Sequence, residues 1–285
     1  MYLSHFGLKE LPFGITPDTS FFFALTRYQE ALNTLLVAAQ NGEGFIKITG
    51  EVGTGKTLLC RKFLASLGNR FVTAYIPNPY LEPRAVLLAL ADELGIQIDA
   101  SADQHQLLKA LTAKLMQHAA QKKQVVVCLD EAQAMPLETL EALRLLTNLE
   151  TEKRKLLQVV LFGQPELDSK LEHDSVRQLK QRITFHYRLD SLAREEIDYY
   201  IAHRLRVAGY SGAQLFTPQA IRLLYRASGG TPRLINILAH KAMLVTYGEG
   251  KSQVMHRHMN SAVRDTPAVK RSWFGGFVRP FLGRG

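Results

Sequence analysis

A parallel α/β domain followed by a smaller all-helical domain is the fold class that three observations predict. Between residues 45 and 187, short apolar runs rich in β-branched residues alternate with longer amphipathic runs, as in a mostly parallel sheet covered on both faces. The first of these runs, FIKIT at 45–49, feeds the glycine-rich turn Gly50-Glu51-Val52-Gly53-Thr54-Gly55-Lys56-Thr57 and then a helix over 56–67. From Ser191 onward only helical spacing remains.

Taken in order, residues 1–44 open with a loop rich in aromatics and proline (Phe6, Pro12, Phe13, Pro17, Phe21, Phe22, Phe23), placed to wall a base pocket, and continue in a helix over 26–40. Strand 45–49 and helix 56–67 are followed by strand 71–76 and helices 83–94 and 104–121. The run VVVCL at 125–129 reads as a central parallel strand, because it is apolar throughout and ends in Asp130-Glu131. Helix 137–150, strand 157–162, a polar turn Gly163-Gln164-Pro165-Glu166, helix 166–171 and strand 183–187 complete the sheet domain. Helices over 193–208, 217–227, 231–247 and 252–264 follow, two of them opening on Thr217-Pro218 and Thr231-Pro232, a hydroxyl N-cap before proline in the first turn. The expected division is 1–190 for the sheet domain, 191–264 for a helical lid and 265–285 for a tail.

That tail holds Trp273, Phe274, Phe277 and Phe281 with basic but no acidic residues after Asp265, which suits a surface anchor, a docking peptide or an unstructured end. With 46% hydrophobic residues in a chain of 285, there is ample material for buried cores. No apolar run approaches the ~20 residues of a membrane helix, and the first ten residues lack a basic start with an apolar centre. The two cysteines, Cys60 and Cys128, fall in predicted buried positions and read as small hydrophobes of a reduced compartment, which points to a cytoplasmic protein. The net charge of +9 suits an anionic partner, but the basic residues are scattered along amphipathic segments rather than gathered in an arm. His256 and His258 have no cysteine or carboxylate cluster beside them in sequence and read as solvated.

The glycine-rich turn lies between a strand and a helix N-terminus, the position in which backbone N–H groups and the helix end converge on phosphate. In that reading residues Gly50 to Thr57 and the following Leu58 wrap the phosphates of ATP. Lys56 reaches the β- and γ-phosphates, and Thr57 ligates Mg²⁺. Asp130, at the end of the acidic strand, is the second Mg²⁺ residue, and Glu131 is placed to deprotonate the attacking water. A glycine-rich turn with a solvated lysine, and a solvated acidic pair, are the alternatives to these readings.

The segments FGLKELPF (6–13), GFIKITGEVGTGKT (44–57), VVVCLDEAQ (125–133), LFGQPEL (161–167), LKQRI (179–183) and GGTPRLIN (229–236) together resemble the AAA+ ATPases. More narrowly, they resemble the secretion and pilus assembly group that includes ExeA and MshM. The resemblance implies a P-loop NTPase (AAA+) sheet sandwich with a C-terminal helical lid. It puts Gln164 at the sensor-1 position, where asparagine is more usual, and Asn78 where it could bind and restrain Glu131. It gives an arginine finger to Arg182 or Arg177, and sensor 2 to Arg233, which would reach the γ-phosphate from the lid.

What the resemblance implies is an ATP-hydrolysing factor that forms rings or arcs and assembles an MSHA-like type IV pilus or a type II secretion machine. Inner-membrane proteins of that machine are its expected partners. Since longer members of the group carry a membrane segment and a peptidoglycan-binding domain after the ATPase, this sequence looks closer to the short cytoplasmic type, at most peripheral to the inner membrane. A DNA-associated AAA+ helper and a slow nucleotide switch are the competing expectations. Nucleic acid is the less favoured partner, because no DNA-reading domain is recognisable after the lid.

Overall fold

The computed structural model describes residues 2–269, apart from 25, 100–101, 148–149 and 152–153. Contacts divide the chain into two units: residues 24–52 with 56–190, and residues 1–23 and 53–55 with 191 onward.

The first unit is a five-stranded parallel sheet in the order β2-β3-β6-β1-β7. Its strands are β1 (Phe45–Thr49), β2 (Phe71–Ile76), β3 (Gln124–Leu129), β6 (Leu157–Gly163) and β7 (Ile183–Arg188). β1, β3 and β6 are buried on both faces, which is why they read as continuous apolar runs without alternation. One face carries α4 (Pro83–Glu93), α5 (Gln104–Ala120) and α6 (Leu137–Leu146), whose Leu87, Leu90, Leu107, Leu111, Leu140 and Leu143 join Val125, Val127, Val159 and Leu161 in one core. The helices α2 (Thr26–Asn41) and α3 (Lys56–Ser66) bury Leu35, Ala38, Leu59, Cys60 and Phe63 and pack against β1, β6 and β7. α5 starts in a capping box, with Asp103 accepting from the Gln106 N–H and Gln106 accepting from the Asp103 N–H, worth about 1 kcal/mol. The short α7 (Glu166–Leu171) and α8 (Arg177–Arg182) lead from β6 to β7.

The second unit holds α9 (Glu196–Val207), α10 (Pro218–Ser228), α11 (Pro232–Gly248) and α12 (His256–Arg264), together with the N-terminal segment and its one-turn α1 (Leu3–Phe6). Thr217 caps α10 by accepting from the Ala220 N–H, as its Thr-Pro pair predicts.

Five expectations need correction here. Residues 2–23, assigned to the sheet domain by chain order, group with the helices instead. Lys9 N–H donates to Ala208 O, Arg204 donates to Pro12 O, and Phe6, Phe13 and Phe21 are buried. The helix expected to reach 150 stops at Leu146. The chain then forms a small hairpin, β4 (Glu150–Thr151) and β5 (Arg154–Lys155), closed at one end by a 3.0 Å ion pair of Lys155 with Glu150. The helix expected from 252 begins at His256, and residues 265–269, counted with the tail, hold to the helices through Lys241–Asp265 at 2.8 Å and buried Thr266 and Val269. His258 is fully buried, not solvated. Its Nδ1 accepts from Met255 N–H and meets Thr246 Oγ1, and its Nε2 lies 3.1 Å from Glu249 Oε2, a carboxylate brought in by the intervening turn. The aromatic residues of the tail lie outside the described residues. Among the described residues no helix is long and apolar enough to cross a membrane.

Candidate functional site

The strand order sets the site. β6 lies between β1 and β3, so the glycine-rich turn leaving β1, the Gln164 turn leaving β6 and the acidic pair leaving β3 emerge side by side at the C-terminal ends of the strands. Ligands of open parallel sheets bind at this edge. Gly50 N–H donates to Gly163 O at 3.2 Å, fastening the turn's first residue to the end of β6. Gly53 and Gly55 have φ of +81° and +96°, a backbone that lets successive N–H groups converge on an anion and that an L side chain strains. Glu51 and Val52 are exposed, Thr54 is buried, and Leu58 is half-buried on the first turn of α3.

Lys56 opens α3 and is only 6% exposed; its Nζ donates to Gly50 O at 2.7 Å and Glu51 O at 3.0 Å. Burial lowers the pKa of its ammonium, opposed by the charges of Glu131, Asp130, Glu51 and Glu166. Thr57 Oγ1 donates to Asp130 Oδ2 at 2.6 Å, the Tyr75 hydroxyl donates to the same oxygen at 3.3 Å, and Glu131 N–H donates to Asp130 Oδ1 at 3.0 Å. Burial dominates at Asp130 and raises its pKa; the hydrogen bonds from Thr57, Glu131 and Tyr75 pull it down and the Glu131 charge pushes it further up. A hydroxyl and a carboxylate oxygen in contact are the hard oxygen pair that Mg²⁺ takes alongside phosphates, so these residues fit that ion.

Glu131 sits in the left-handed region at φ 55°, ψ 36°, a conformation that costs a non-glycine residue about 1 kcal/mol or more. Its Oε2 accepts from Gln133 Nε2 at 2.6 Å and from Gln164 Nε2 at 3.2 Å. The expected Asn78–Glu131 contact is absent: Asn78 Oδ1 accepts from Tyr80 N–H at 3.3 Å, the local turn bond that asparagine favours. Arg182, half-buried, ends α8 with Nη1 3.5 Å from Arg144 O, and Arg177 is exposed at the start of the same helix. In the helical unit Arg233 has an exposed side chain on the first turn of α11, and its N–H donates to Gly53 O at 3.2 Å. Gln133, Tyr75 and Lys170, whose Nζ donates to Gln133 O, are contributors that the sequence reading missed. Gln133 stands within the DEAQ segment, but its reach back to Glu131 depends on the 3₁₀ turn over Ala132–Ala134.

The AAA domain family matches residues 39–171. The chain is 41% identical to general secretion pathway protein A of Aeromonas hydrophila over 285 residues, which is 99% of this chain and 52% of that protein. It therefore spans about half the length of the curated relative it matches. Among solved structures, the Aeropyrum pernix ORC2 protein in its ADPNP–ADP complexes superposes with a TM-score of 0.65 at 18% identity, covering 89% of this chain and 72% of that one. Cdc6p of Pyrobaculum aerophilum gives 0.63 at 18% over 83% and 68%, and the Thermotoga maritima RuvB branch migration motor gives 0.59 at 15% over 88% and 73%. These structural likenesses speak for the fold alone. Sheet order, the nucleotide-type loop and sequence likeness agree: the chain has the AAA+ type of P-loop NTPase fold, and along nearly all of its length it is similar to general secretion pathway protein A.

Proposed function

We propose that this chain binds and hydrolyses ATP, and that turnover drives or times assembly of a type II secretion machine or an MSHA-like type IV pilus. The observation that carries the reading is the gathering of Lys56, Thr57–Asp130 and the amide-held Glu131 at one edge of the sheet. Residues Gly50 to Leu58 wrap the phosphates, and Lys56 exchanges its loop carbonyls for β- and γ-phosphate oxygens. Thr57 and Asp130 hold Mg²⁺, which when bound neutralises charge developing on the phosphates. Glu131 takes a proton from the attacking water; the new oxygen–phosphorus bond forms as the bond to the β–γ bridging oxygen breaks, giving ADP and phosphate. Gln164 steadies Glu131, Arg233 reports nucleotide state to the helical lid, and Arg182 or Arg177 completes a neighbour's site in a ring or arc.

The protein would act in the cytoplasm beside inner-membrane components of the machine, with the basic aromatic tail as a contact to membrane or partner. The test is ATPase rate against protein concentration, with light scattering, for the intact chain and Arg182→Ala. A specific rate that climbs with assembly and falls ~10³-fold or more in the variant, with ATP still bound, supports a shared site. A flat rate equal in both favours a switch acting one subunit at a time. The net charge of +9 favours a second reading, a DNA-associated helper, which requires duplex DNA to be retained at ~150 mM salt.

A further inference from the structure

The residue that holds Glu131 most closely has no part in the scheme above. Gln133 Nε2 lies 2.6 Å from Glu131 Oε2, while its Oε1 accepts the Gln164 N–H at 3.0 Å. One side chain therefore bridges the acidic pair of β3 and the polar turn of β6. Its backbone is pinned as well: Lys170, on α7, donates from Nζ to Gln133 O at 2.7 Å and to Met135 O at 2.5 Å. We infer that Gln133 is a positioning residue that aims the Glu131 carboxylate and locks it to Gln164, so that base and sensor move as one body. The inference rests on the hydrolysis reading above.

The chemistry of the contacts gives the bridge its direction. Both amide donors fall on Oε2, and among the described residues Oε1 takes no hydrogen bond, so one edge of the carboxylate remains to accept a proton from water. A donor to a carboxylate is charge-assisted and stronger than a neutral pair, and the Gln133 bond is the shorter of the two. Glu131 is also held in a left-handed backbone, which persists only where its surroundings over-determine it. Gln133 supplies such determination on three sides: Glu131, the Gln164 backbone and, through Lys170, α7. An asparagine is one methylene too short to span the same gap, and methionine keeps the shape while losing both bonds.

The experiment compares the intact chain, Gln133→Met, Glu131→Gln and the double variant in steady-state phosphate release, ATP binding and thermal melting. Gln133→Met is expected to lower kcat ~10- to 100-fold with KM and ATP affinity within threefold, and to lower the melting midpoint by no more than a few degrees for the two lost hydrogen bonds. Added to Glu131→Gln it should change nothing further, because Gln133 acts through Glu131. An equal loss in both backgrounds, or a loss of ATP binding, would overturn the inference. A second readout is independent of turnover: the Gln133 side-chain NH₂ resonance, identified by its loss in Gln133→Met, should shift in Glu131→Ala. A resonance that stays put overturns the bridge even in an active protein. Absence of turnover in the intact chain would defeat the hydrolysis reading instead, with the resonance still deciding the Gln133 contact.

Discussion

In the helical unit Arg204, 5% exposed, donates to the carbonyls of Pro12 and Gly14 and lies over the rings of Phe21 and Tyr200 at 4.6 and 5.7 Å. In the sheet unit Lys56, 6% exposed, also donates to two carbonyls, but these belong to its own loop, five and six residues away. The two cations are buried to a similar degree and differ in what their partners can do. The Arg204 partners come from the distant N-terminal segment and two packed rings, and Asn236 adds a further bond to Gly14 O, so the guanidinium closes a core. Lys56 answers to four nearby carboxylates and to carbonyls on a glycine turn, groups that a phosphate can replace without opening the fold. A buried charge tied to distant backbone serves shape; one tied to its own loop beside other charges is set to trade partners.

Substitution should separate the two cations. Lys56→Met is expected to weaken Mg·ATP binding by at least ~10²-fold while the melting midpoint changes little, since removal of the ammonium's desolvation cost offsets the lost bonds to Gly50 O and Glu51 O, the latter on an exposed residue. Arg204→Ala should do the reverse. It leaves the Pro12 carbonyl without its donor, costing about 3 kcal/mol with the lost stacking, and is read as an earlier transition in urea unfolding. If Lys56→Met melted early, the contrast would break.

A smaller contrast lies within GGTPRLIN. Gly229 and Gly230 both have positive φ, but a Cβ on Gly230 would stand 2.1 Å from Leu192 O, whereas one on Gly229 meets nothing within 4 Å. Gly230→Ala is therefore expected to cost well above ~2 kcal/mol and Gly229→Ala about 1 kcal/mol, measured by the same unfolding curves.

The smallest effect concerns acid and touches both units alike. Burial lowers the pKa of His118 and His186 in the sheet unit and of His203 and His240 in the helical unit below the usual 6.5. A depressed folded-state pKa means that the folded chain binds fewer protons than the unfolded one. The stability these groups contribute is present above pH 6.5 and lost as pH falls through that value toward their lowered ones. The melting midpoint should therefore drop between pH 7 and 5, with a shallower slope in His240→Gln.

The sheet was legible because β1, β3 and β6 are covered on both faces, which writes unbroken apolar runs, and because the phosphate-type loop demands glycine and lysine at fixed spacing. Chain order misled where space and sequence part company. The N-terminal aromatics precede the sheet yet pack with α9, and Glu249 reaches His258 only because a turn folds α12 back. Local geometry misled at Asn78, whose Oδ1 accepts the Tyr80 N–H of its own turn and so keeps the side chain there rather than at Glu131. Apolar spacing ran through Leu140, Leu143 and Leu146 and carried the helix reading past Thr147 into residues that pair as a hairpin. Gln133 was within sight in DEAQ, but a glutamine two residues from a carboxylate says nothing until a left-handed Glu131 and a tight turn bring them to 2.6 Å.

The most direct measurement is phosphate release from Mg·ATP by the intact chain and by Glu131→Gln, with ATP binding determined on the same preparations. Turnover in the intact chain is expected, with a fall of about 10²- to 10⁴-fold in the variant and equal binding in both. Equal turnover in the two proteins, or binding without turnover in either, would contradict Glu131 as the base of an ATPase.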